Sequence, residues 1–74
     1  MKKKIISELL WVDKEKKNIS CEETNKVLNE NFSEINSILQ NAYDDAILLG
    51  CDESDFKGKI KQLIQNLEFS LGKK

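Results

Sequence analysis

The sequence predicts an all-α protein, a small three-helix chain with a central long helix and an antiparallel C-terminal helical hairpin. Three observations predict it. Apolar residues recur at helical spacing through most of the 74 residues. No segment is rich in β-formers. Glycine and capping residues, with no proline anywhere, punctuate the helical stretches. A chain of this length with 39% hydrophobic residues can build one thin core. Residues 1–74 are therefore expected to form a single helical domain, with helices at about 3–17, 21–49 and 53–71.

In the first helix, Ile5, Ile6, Leu9, Leu10 and Val12 fall in one stripe, and Lys14, Lys16 and Lys17 suit a helix C-terminus. A break is expected at Asn18-Ile19. Ser20 then reads as an N-cap, with Glu23 completing a capping box.

The central helix carries the strongest signal. Leu28, Phe32, Ile35, Leu39, Ala42, Ala46 and Leu49 alternate spacings of four and three, an a/d seam held for three heptads. Val27 and Ile38 widen that face on one side, Tyr43 and Ile47 on the other. The apolar arc reaches about 200°, wider than the roughly 100° one neighbour covers. Two neighbours are expected, either both from this chain or one from a second copy, so a homodimer is predicted.

Gly50 is expected at the C′ position of the central helix. Asp52 or Ser54 then caps the last helix, in which Phe56, Ile60, Leu63, Ile64, Leu67 and Leu71 form one stripe. Gly58 inside it costs about 1 kcal/mol relative to Ala. Gly72 supplies the final stop.

Charge is segregated. Residues 1–20 are net +3, residues 21–56 net −8 with one lysine against nine acids, and residues 57–74 net +4. Packing the outer helices on the central one would neutralise it locally.

The absences define function classes. All 12 cations are lysine and there is no histidine. The commonest general base and metal ligand is missing, and so is the guanidinium fork that reads phosphates and guanine. With a net charge of −1, nucleic acid is not an expected partner. Serine and cysteine nucleophiles would lack a histidine partner. The protein is expected to be no enzyme and to use no cofactor, metal or small-molecule substrate.

Cys21 and Cys51 lack zinc-site spacing. The central helix would hold them about 40 Å apart, so no intrachain disulfide is expected. Both read as small apolar fillers near helix ends. Ser7 and Glu8 interrupt the apolar run that a signal peptide needs, and no run approaches a membrane span. A cytoplasmic protein without membrane insertion is expected.

Asp44, Asp45, Asp52, Glu53 and Asp55 gather around the second turn, without calcium-loop spacing. They read as caps and solvated charge. Lys2-Lys3-Lys4 reads as a solubilising start. Trp11 and Phe69 fall opposite the apolar stripes of their predicted helices, and exposed aromatics are enriched at binding hot spots. Trp11, Phe69, Val27, Ile38, Tyr43 and Ile47 are therefore the protein-interface candidates.

The stretch from Leu39 to Ser70 has an apolar helix ending in Gly50, a polar turn, then Lys59-Ile60, Leu63-Ile64 and Leu67-Glu68. This cadence, under half the chain, resembles the YmgB/AriR and YcgZ family of small bacterial regulators. The resemblance implies a non-enzymatic connector in biofilm or acid-stress signalling, acting by protein–protein interaction as a dimer. That family is also linked to DNA, which makes a nucleic-acid-associated regulator an alternative. Leu9-Leu10, Asp13, the long helix, Gly50, Phe56 and the amphipathic last helix are similar to the small E-type co-chaperones of type III secretion needles. That likeness implies a subunit that folds with its partner.

Overall fold

A computed structural model describes residues 9–71. Within them the protein is all-helical, with two helices, α1 (Glu22–Leu48) and α2 (Glu53–Gln65), and no strand. The chain divides into two compact units, Met1–Gln40 and Asn41–Lys74. The boundary falls within the continuous helix α1.

The first predicted helix does not form over residues 9–17; residues 3–8 lie outside the described residues. The chain instead doubles back at residues 10–19 as a strap. Val12 and Asn18 make an isolated antiparallel bridge. Ile19 N–H donates to Trp11 C=O and Asp13 N–H to Lys17 C=O, each at 2.8 Å. Asp13 is the local cause. Its carboxylate accepts the N–H groups of Glu15 and Lys17 at 2.8 and 3.0 Å, and its C=O accepts Lys16 N–H at 2.9 Å. A short acidic side chain that satisfies its own backbone competes with helix. The turn closes with Lys16 at φ 70°, a left-handed conformation that costs a non-glycine residue roughly 1 kcal/mol. The break expected at Asn18-Ile19 is thus corrected: the reversal lies at residues 13–17, and Asn18 and Ile19 are on its return limb.

Helix α1 begins one residue later than the Ser20 capping box predicts. Asn25 N–H donates to Cys21 C=O at 3.0 Å, so Cys21 stands at the N-cap. Its thiol is hydrogen-bonded by the hydroxyl and N–H of Thr24. Ile19, tied into the strap and to Asn25, keeps the chain extended up to this point. Glu22 and Glu23 occupy the first turn, where the helix dipole favours them.

The end of α1 follows its sequence. Gly50 adopts φ 94°. Its N–H reaches Ile47 C=O at 3.1 Å and Cys51 N–H reaches Ala46 C=O at 2.8 Å, the Schellman pair. Asp52 then caps α2, its carboxylate accepting Asp55 N–H at 2.8 Å.

Helix α2 stops at Gln65, short of the predicted Leu71. Asn66 N–H is shared between Gln62 and Leu63 carbonyls, and Leu67 N–H turns to Ile64. Leu67 and Leu71 are 74% and 88% exposed, so no burial holds a further turn, and a short helix without it is marginal. The stop expected at Gly72 lies outside the described residues.

No described residue is buried. In unit 2 the closest packing is Tyr43 of α1 against Phe56 of α2, ring centroids 5.7 Å apart at 69°. In unit 1 it is the strap against α1.

Candidate functional site

The strap's contact with α1 in unit 1 is built by three side chains of the helix one or two turns apart, Asn25, Asn29 and Phe32. They fall on one side of the helix at 100° per residue. Trp11 lays its ring on Phe32, centroids 5.9 Å apart at 70°, an edge-to-face arrangement worth about 0.5–1.5 kcal/mol beyond area. Its indole Nε1–H donates to Asn29 Oδ1 at 2.8 Å. One turn earlier, Asn25 Nδ2–H donates to Ile19 C=O at 2.7 Å. The other end of the same amide, Asn25 Oδ1, is shielded from solvent and has no hydrogen-bond partner among the described residues. Such an unpaired acceptor costs about 1–3 kcal/mol.

This corrects the orientation expected of Trp11. A helical register puts Trp11 opposite the apolar stripe, but residues 9–17 are not helical. It is half-buried against α1 instead. Phe69 is 79% exposed, but beyond α2 rather than on it. Val27 and Ile38 stand at 53% and 68% exposed on the side of α1 away from the strap contacts, and Ile47 at 43%. Tyr43 is half-buried by Phe56. Of the six interface candidates, Trp11 and Tyr43 each take a local partner in their own unit.

Asn25 and Asn29 were not among the residues expected to matter. The signal was present: asparagine is a poor helix former, and two of them four apart beside Leu28 and Phe32 suggest side chains that bond something other than water.

In unit 2, Glu53 accepts from Lys57 Nζ at 3.0 Å, and Lys57 Nζ lies 5.5 Å from the Tyr43 ring centroid. Lys59 pairs with Asp55 at 2.8 Å. Desolvation, then the hydrogen bond to Glu53, pushes the Tyr43 hydroxyl above its ordinary value. The Lys57 and Tyr43 bonds hold Glu53 below its own. Asp55 raises Lys59, and Glu53 raises Lys57. Part of the acidic group thus serves as a cap and as i,i+4 partners. Among the described residues no cluster of cysteine and carboxylate ligands is arranged to hold a metal.

Cys21 and Cys51 are free and exposed, which corrects their reading as apolar fillers: neither faces a packed interior. The bonds from the Thr24 hydroxyl and N–H lower the Cys21 thiol, against slight desolvation and the charge of Glu22. No described helix is long and apolar enough to cross a membrane.

No protein-family model, curated protein or solved structure matches the chain.

Proposed function

We propose that the protein is a non-enzymatic helical adaptor that regulates a partner by protein–protein interaction and pairs with a second copy of itself. The supporting observation is the absence of any buried residue among residues 9–71, beside large apolar side chains left open along both helices. Ile35 and Ile38 on α1, Leu63 and Ile64 on α2 and Leu67 just beyond it are all more than half exposed. A monomer that leaves this much apolar surface in water gains little from folding, and burying it against another chain is the usual remedy. The acids of α1 favour contact at its middle: residues 35–43 carry no charge, while Glu30 and Glu34 precede them and Asp44 and Asp45 follow.

The role that fits is a connector, as the resemblance to the small bacterial regulators implies, in the reducing cytoplasm where two exposed thiols persist. The lack of a buried core among residues 9–71 also favours a second reading, the secretion co-chaperone type of subunit that folds on its partner.

Light scattering after size exclusion, across a concentration series, tests the proposal. The expected mass is twice the 8.5 kDa chain. A compact, cooperatively folding species at 8.5 kDa would sink the self-association. Polydisperse material that becomes helical only with another protein would favour the second reading.

A further inference from the structure

We propose that the Asn25–Asn29–Phe32 face of α1 is a binding site for an extended, tryptophan-bearing peptide segment of a protein partner, which the strap occupies as an internal substitute. The strap shows what the site recognises. Asn29 takes an indole N–H at 2.8 Å, and Phe32 takes the ring edge to face. Asn25 reads a backbone carbonyl through Nδ2 at 2.7 Å.

The strap also shows what is unmet. An asparagine amide can bond both a C=O and an N–H of an extended chain. Here Asn25 Oδ1 is shielded and receives no N–H from the described residues. Lys16 must adopt φ 70° to close the turn. The indole is only half-buried and is held by one hydrogen bond and one ring contact. A segment that offers Asn25 both backbone groups and Asn29 an indole, with no left-handed lysine, makes the same contacts with fewer penalties. Exchange would release the strap and its three lysines, Lys14, Lys16 and Lys17.

The inference rests on the protein-binding reading but is tested separately from it. The probe is a fluorescein-labelled peptide of residues 9–20, titrated by anisotropy into the full chain. Trp11→Ala, whose own strap lacks the indole, is expected to bind it at least about tenfold more tightly than wild type, since the competing internal segment is weakened. Adding Asn29→Leu to Trp11→Ala removes the acceptor for the indole N–H and should weaken binding by about fivefold, one hydrogen bond's worth; unchanged affinity would overturn the proposal. Equal binding to wild type and Trp11→Ala would place the peptide elsewhere and overturn the proposal. So would no binding by a Trp11→Ala chain that keeps its helical circular dichroism.

If Trp11→Ala loses helicity, 5-fluorotryptophan in the wild type gives the test. Unlabelled peptide should move its fluorine resonance to the solvent position saturably, and a resonance that stays fixed overturns the idea. A mass of one chain by light scattering would end the self-association reading while leaving this result to stand or fall alone.

Discussion

At the residue scale, one aromatic decides the fate of the N-terminal segment. Trp11 gives α1 a ring contact and a hydrogen bond. Trp11→Phe keeps the first and loses the second, leaving Asn29 Oδ1 to water, so it should loosen the strap by about 1 kcal/mol. Trp11→Ala loses both and should release it. Amide exchange at Ile19, whose N–H is held by Trp11 C=O at 2.8 Å, reports the order: slowest in wild type, faster in Trp11→Phe, at loop rates in Trp11→Ala. Equal rates in all three would show that Asp13 alone holds the turn. The Tyr43, Glu53 and Lys57 group makes a pH prediction. Glu53 is lowered from 4.5, so its contribution is present above that value and fades as pH falls through the folded pKa. Tyr43 and Lys57 are raised from 10.0 and 10.5, so theirs are present below those values and fade as pH rises through the folded pKa values. Helicity of α2 should therefore be flat between about pH 5 and 10 and decline on both sides, by small amounts because the Glu53 and Lys57 side chains are exposed and screened by water. Glu53→Gln should flatten the acid limb in a circular dichroism titration.

At the element scale, the two glycines of unit 2 predict opposite signs. A Cβ at Gly58 would meet nothing within 4 Å and its φ is ordinary. Gly58→Ala should stabilise α2 by about 1 kcal/mol. Gly50 has equal space but φ +94°, so Gly50→Ala should destabilise the turn by about 1 kcal/mol or more. Thermal circular dichroism of the two variants checks both, and the same sign for both would mean that the helix end is not the Schellman turn. Helix α1 shows why its pattern was so readable. Its 27 residues hold glutamates in the first turn and end at the residue type a left-handed cap demands. Helix α2 had a stripe reaching Leu71 but ends at Gln65, because periodicity records where apolar residues lie and not whether anything covers them.

At the scale of the whole molecule, charge and exposure act together. The sequence has an acidic middle and basic flanks, and no residue among 9–71 is buried; on the proposed reading, stability depends on what the chain meets. Its thermal midpoint should therefore rise with its own concentration if a second copy is the missing cover. A midpoint independent of concentration over a hundredfold range would point to a different protein as the partner.

The sequence by itself determined the all-helical class, the extent of α1 to within one residue at its ends, the Gly50 stop and the Asp52 cap. These depend on residues within a turn or two of one another, where spacing and capping chemistry suffice. Only tertiary structure decided residues 9–19. Their apolar spacing fits a helix, and Asp13 fits a turn. The balance was tipped by Asn29 and Phe32, which lie 18 and 21 positions beyond Trp11, outside any local pattern. The Asn25 amide was undecidable for the same reason: its meaning lies in the Ile19 carbonyl that a folded strap brings to it, and in the acceptor that the strap leaves unpaired.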